Sequence, residues 1–180
     1  MPSWQGIARR IRVPMGFVFA ALYLWLAQPS WLSIFTGSSI SVIGLIVRAL
    51  ASGHVRKNEQ LTTTGPYAYT RNPLYLGSLI MALGFTLASR SWIIGAIAAA
   101  MLVGIYVPVI RSEERFLRER FPEFDGYCRD VPRLLPRWRA ARGGSGAFSA
   151  NLFWKHREYN AALGAAAIIA VLVLKVLWAR

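Results

Sequence analysis

An all-α integral membrane protein is predicted, a bundle of five transmembrane helices forming a single membrane domain over residues 1–180, and three observations predict it. Apolar runs recur at 13–27, 31–47, 74–89, 92–110 and 161–178, each near the roughly 17–25 residues a helix needs to cross a bilayer. With 55% hydrophobic residues and a mean hydropathy of +0.39, the chain has the composition of a protein solvated by lipid. Its basic residues also fall almost entirely between alternate runs, as the positive-inside rule requires.

Arg9, Arg10 and Arg12 precede the first run as they would in a signal sequence. Residues 22–28 offer no small-x-small cleavage site and a second run follows at once, so the first run is read as a retained span. Gln28-Pro29-Ser30 leaves room only for a tight turn, which makes the first two spans a helical hairpin with Trp25 and Trp31 at the interface. Residues 88–91 turn the chain in the same way between spans three and four.

Arg48, Arg56, Lys57 and Arg71 lie between spans two and three, and eleven Lys or Arg lie between spans four and five; only Arg90, Lys175 and Arg180 fall on the other side. The N-terminus and both long polar stretches, 52–72 and 111–158, are therefore expected to be cytoplasmic and the C-terminus to lie opposite. Small residues such as Gly37, Gly44, Gly77, Gly84 and Gly104 allow helices to approach closely.

Pro108 is expected to kink span four and redirect its continuation out of the membrane. Val109, Glu113, Phe116, Phe121 and Phe124 mix apolar and acidic positions on that continuation, which Pro122 ends. Irregular chain held to a surface is expected to follow through Pro132 and Pro136, with a flexible linker at 143–146 before the interfacial entry to span five at 151–159.

A formal charge of +13 admits nucleic acid as a partner, but no basic residues interleave with aromatics as an RNA-binding face would need. Cytoplasmic loops of a membrane protein account for the charge. No His/Cys/Asp/Glu spacing matches a metal site, and neither a phosphate loop nor a dinucleotide fingerprint is present. Cys128 is the only cysteine, so no disulfide can form within the chain, and it reads as an ordinary half-buried thiol ahead of a catalytic one.

Chemistry-bearing residues concentrate in 52–77 and 111–117. Arg71-Asn72-Pro73 has a plain structural reading, in which Pro73 starts span three, Asn72 caps it and Arg71 snorkels to headgroups. Tyr75 and Gly77, on the same helix, would add a phenol and an open backbone position facing the polar stretch. Glu113 and Glu114 stand at a membrane boundary, where an ionised group needs a partner. They could form a solvated helix end neutralised by Arg111 and Arg115, or hold a cationic group of a ligand. His54, one of two histidines, is on its own evidence more often interfacial or structural than catalytic.

Gly53-His54, then Leu61-Thr-Thr-Thr-Gly65-Pro66-Tyr67, then Arg71-Asn72-Pro73-Leu74-Tyr75-Leu76-Gly77, then Glu113-Glu114-Arg115-Phe116-Leu117, and then Phe121 through Tyr127 to Val131-Pro132 together carry a resemblance. Over 48–136 the chain resembles the isoprenylcysteine carboxyl methyltransferase family, to which phospholipid N-methyltransferases are related. The resemblance implies an S-adenosylmethionine-dependent methyltransferase whose cytoplasmic cofactor pocket is formed by the 52–77 and 111–136 segments. It implies that His54, Leu61, Tyr67, Arg71, Asn72, Pro73, Tyr75, Gly77, Glu113 and Glu114 bind the cofactor, that Arg71 and Glu114 are central to catalysis, and that no metal is used. The family's usual motif has His where this chain has Asn72, so no titrating group stands there.

These residue types suit that chemistry. A sulfonium methyl donor is a cation that an aromatic face of Tyr67, Tyr69 or Tyr75 stabilises by roughly 0.5–2 kcal/mol. A carboxylate can pair with the cofactor's amino group and Arg71 with a carboxylate. The expected acceptor is lipophilic and enters from the bilayer, with the carboxylate of an isoprenylcysteine foremost. A phospholipid or other N- or S-acceptor is an alternative, and a non-enzymatic lipid-binding scaffold is another.

Overall fold

The computed structural model describes residues 4–56, 59–141 and 146–178, and all regular structure among them is helical. The expected linker at 143–146 lies, apart from Gly146, outside the described residues, as do Lys57 and Arg180. The helices are α1 (Trp4–Leu26), α2 (Trp31–Ser52), α3 (Pro73–Ser89), α4 (Trp92–Met101), α5 (Val107–Arg120), α6 (Phe124–Asp130), α7 (Ala150–Lys155) and α8 (Tyr159–Trp178), with a short 3₁₀ turn at Gly65–Ala68. Three helical stretches are long and apolar enough to cross a membrane: Trp31–Ser52, Trp92–Arg120 and Tyr159–Trp178. Val13–Leu26 and Pro73–Ser89 are apolar but shorter, matching the two shortest apolar runs, 13–27 and 74–89. The protein is a helical, multi-pass membrane protein.

Helix boundaries extend beyond the apolar runs in several places. Helix α2 runs to Ser52, five residues past the end of its apolar run, because the Arg48 side chain finds protein partners and the charge does not end the helix. Span four carries on past its apolar run, through Pro108. The chain from Trp92 to Arg120 is helical throughout, with a π turn at Leu102–Tyr106 in which the Val107 N–H donates to the Leu102 carbonyl five residues back. Widening the ladder just ahead of a residue that has no N–H to give makes room for the proline ring. The chain after Pro122 is not wholly irregular either, since α6 forms at Phe124–Asp130 around the buried Phe124.

Two compact units make up the chain: Met1–Ser41, Ala82–Arg115 and Ala165–Arg180 in one, Val42–Met81 and Phe116–Gly164 in the other. In the first, α1 packs against α4 and the π turn. Tyr23, Ala27, Ile34, Ala88, Ile94 and Leu172 form the core, ringed by Phe19, Phe85, Ile168 and Val173. Polar bonds tie the helix ends together where lipid offers none. The Tyr23 hydroxyl donates to the Phe85 carbonyl (2.9 Å), and Ser33 Oγ donates to the Ala88 carbonyl (3.0 Å). Lys175 Nζ donates to the carbonyls of Leu24 (2.6 Å) and Ala27 (2.7 Å), a cation on the orphan acceptors at the end of α1. Trp25, Trp31 and Trp92 stand exposed at these helix ends, where an aromatic belt belongs.

Within the same unit α2 and α3 touch backbone to backbone: a Cβ at Gly37 would overlap the Gly84 carbonyl, and one at Gly84 would overlap Ser41. The second unit repeats the device seven residues along each helix. A Cβ at Gly44 would stand 2.6 Å from the Gly77 carbonyl oxygen, and one at Gly77 would stand 2.7 Å from that of Gly44. Glycine is needed at both crossings because any side chain would prise the helices apart.

Candidate functional site

The polar stretch leaving α2 is shaped around His54. Its Nδ1 lies 2.7 Å from the Leu50 carbonyl, four residues back in the last turn of α2. A carbonyl only accepts, so Nδ1 carries the proton and, in the neutral ring, Nε2 is left as an acceptor. The ring meets Phe148 edge-on at 6.2 Å and packs on Gly65, whose Cβ would fall 2.5 Å from Nε2. Gly65 also has φ +58°, a conformation open to glycine but costly for a side chain. The sequence-predicted pair Gly53-His54 and Thr64-Gly65-Pro66 therefore meet.

Residues 67–72 are strapped down by the segment that follows α6. The Arg71 N–H donates to the Pro132 carbonyl (2.9 Å), Arg137 N–H to that of Tyr69 (3.0 Å), and Ala141 N–H to that of Ala68 (2.9 Å). Thr70 Oγ1 reaches the carbonyls of Arg133 (3.2 Å) and Leu134 (3.1 Å), and Asn72 Nδ2 donates to that of Arg133 (3.0 Å). The Tyr127 hydroxyl closes the set with a bond to the Tyr67 carbonyl (2.7 Å). Tyr67, Thr70, Asn72 and Pro73 are buried while Arg71 and Tyr75 are partly open. The strap thus fixes the backbone on both sides of the Arg71 guanidinium.

This strap is what sequence reasoning missed. Pro132 and Pro136 suggested chain held to a surface, but nothing in the pattern said that the surface was the Tyr67–Asn72 backbone, some sixty residues earlier. Asn72 has a structural task here as a helix-start residue that also clamps the strap. Gly77 has a packing reason in the crossing with Gly44, and Pro73 begins α3. Leu61 is half-buried. We expect Tyr127→Phe to cost about 1 kcal/mol of stability and to speed amide exchange selectively at 67–72. Uniform exchange across the chain would show that the strap does not hold that segment.

Glu113 and Glu114 lie on α5 in the first unit and part company: Glu113 is exposed, whereas Glu114 is 4% exposed and shares the buried face of α5 with Val109 and Ile110. Neighbouring residues on a helix point about 100° apart, so a tandem pair can turn only one carboxylate inward. Among the described residues, no group of three His, Cys, Asp or Glu side chains could hold a metal ion.

A membrane-embedded helical protein with a braced arginine motif and an inward carboxylate at a helix exit is the class these features define. The chain belongs to the phospholipid methyltransferase (PEMT) family, which it matches over residues 15–123. It is similar to the cobalt-zinc-cadmium resistance protein CzcN of Cupriavidus metallidurans, at 41% identity over 61% of this chain and 50% of that protein. It is also similar to the nickel-cobalt-cadmium resistance protein NccN of Alcaligenes xylosoxydans xylosoxydans, at 37% identity over 64% of this chain and 57% of that one. The chain thus spans about half the length of these curated relatives. No solved structure matches it.

Proposed function

We propose that this protein is an S-adenosylmethionine-dependent methyltransferase that takes its cofactor from the cytoplasmic side and a lipophilic acceptor from the bilayer. The family match carries the reading, because its span contains both the Arg71–Gly77 motif and the Glu113–Glu114 pair. Methyl transfer forms a bond from the acceptor's lone pair to the methyl carbon while the carbon–sulfur bond breaks. What S-adenosylmethionine would supply when bound is that activated methyl, its sulfur keeping the electron pair as a neutral thioether. No metal is needed; alignment of nucleophile, methyl and sulfur is the chief demand, and water exclusion favours a step in which opposite charges cancel.

In this reading Arg71 orients the cofactor's carboxylate or that of the acceptor, and Glu114 holds the cofactor's amino group. His54, Leu61, Tyr67, Asn72, Pro73, Tyr75 and Gly77 shape the surroundings, as the resemblance implies. A carboxylate acceptor of the isoprenylcysteine kind suits the site because it attacks without first losing a proton. Asn72 cannot act as a base, and its amide already donates to the strap.

A second reading, transfer to a phospholipid amine, is favoured by one observation: His54 Nδ1 lies 2.7 Å from the Leu50 carbonyl, which leaves Nε2 as the acceptor of the neutral ring. The names of the relatives add a setting, since a methyltransferase that remodels a membrane component could serve resistance to metal ions without itself holding one.

The test is calorimetry of S-adenosylmethionine with the purified protein, alone and with each acceptor class, followed by transfer of labelled methyl. We expect saturable binding, lost in Arg71→Ala, and label in the carboxylate acceptor as a base-labile ester. Label in the lipid amine would select the second reading, and absence of binding by folded protein with every acceptor present would reject both.

A further inference from the structure

We propose that the strap at residues 131–141 is an interfacial anchor that docks on the anionic headgroups of the membrane in which the protein sits. The first observation is the length of α3. Helix α3 has 17 residues, about 25 Å at 1.5 Å per residue, short of a hydrocarbon core of about 30 Å. A helix of that length that crosses the membrane draws its first residue, Pro73, down to the headgroup level. The strap bonds to residues 68–72, immediately before that point, so it lies at the same level.

The second observation is what the strap presents. Its backbone is committed inward by the bonds to Ala68, Tyr69, Thr70, Arg71 and Asn72, yet Trp138 is wholly exposed and Leu135 is 78% exposed. Arg133 and Arg139 stand exposed beside them. Residues 129–142 hold five arginines against one acidic residue, Asp130. Indole and leucine side chains braced outward among guanidinium groups match an anionic leaflet, in which the apolar groups enter the acyl boundary and the arginines meet phosphate. A soluble protein partner would not require the strap to lie at this depth.

A probe at position 138 tests the idea. Cys128 is the only native cysteine, so Cys128→Ser with Trp138→Cys places one environment-sensitive fluorophore on the full-length protein, reconstituted in nanodiscs. With about 30% phosphatidylglycerol, a leaflet of the charge density that draws in polybasic segments, we expect emission shifted to the blue and shielded from an aqueous quencher. In pure phosphatidylcholine, and in 1 M salt where the screening length falls to about 3 Å, that shielding should be lost. Arg133→Gln and Arg139→Gln should each reduce the docked population by about fivefold.

Leu135→Cys in the same Cys128→Ser background should behave alike, and it stands in if the Trp138 variant misfolds. Emission unchanged between the two lipid compositions would overturn the anchor. Shielding that follows the number of protein copies per disc rather than lipid charge would overturn it too, by making the occupant a second copy.

Discussion

Glu114→Gln is expected to weaken S-adenosylmethionine binding by about a hundredfold, the equivalent of about 3 kcal/mol, while Glu113→Gln stays within about threefold. The two residues are chemically identical neighbours, so the contrast isolates burial. Glu113 is exposed to solvent, where a carboxylate contributes little to a distant charge. Glu114 is 4% exposed; a carboxylate held that deep attracts a cation in a medium of low effective dielectric, which is what a cofactor's amino group would meet. Glutamine keeps the volume and most of the hydrogen bonding, so loss of the charge dominates. Thermal unfolding measured beside the calorimetry separates the two roles open to a buried carboxylate. A lower midpoint with unchanged cofactor affinity would make Glu114 a packing residue and remove it from the site.

What was legible in the sequence follows the range of the interactions concerned. Apolar runs, the tight turn at 28–30 and the helix start at Pro73 are local consequences of hydropathy and backbone chemistry, and they could be read directly. The pairing of Gly37 with Gly84 and of Gly44 with Gly77 was legible as small residues but not as partners, because spacing along one helix does not say which residues of the next it will meet. The tandem Glu113–Glu114 could not be split from sequence, since the phase of α5 depends on the π turn at Leu102–Tyr106 that absorbs Pro108. Thr70 and Asn72, together with the Pro132–Leu134 strap, show the limit most sharply. Every bond between them joins side chain or backbone to a main-chain carbonyl, and a carbonyl leaves no mark in the pattern of residue types. The isoprenylcysteine resemblance read the methyltransferase family correctly at the coarse level, because arginine motif and acidic pair are residue-type signals.

The largest loss of stability is expected from Arg48→Ala, about 3–5 kcal/mol, because it strands a carboxylate 110 positions away. Arg48 Nε lies 2.5 Å from Glu158 Oε1, the two side chains being 24% and 10% exposed, and Nη1 donates to Ser78 Oγ at 2.5 Å. One guanidinium thus joins α2, α3 and the residue that leads into α8. Removing it leaves Glu158 without its cation where water cannot replace it, which costs far more than the net worth of the pair. Arg48→Met with Glu158→Met should therefore recover most of the loss, since two apolar side chains of similar length need no counter-charge. Lys155→Ala is the internal control: its pair with Glu59, at 3.6 Å, is more than half exposed on both sides and should be worth under about 0.5 kcal/mol. Denaturant unfolding of the four proteins in the same detergent decides the matter, and an Arg48→Ala loss no greater than that of Lys155→Ala would refute a buried bridge. Glu158 lies beyond the family-matched span of 15–123. A loss of several kcal/mol would therefore mean that the start of α8 is fixed by a charge the matched region alone does not supply, so that shortening the chain before Glu158 would strand Arg48 instead.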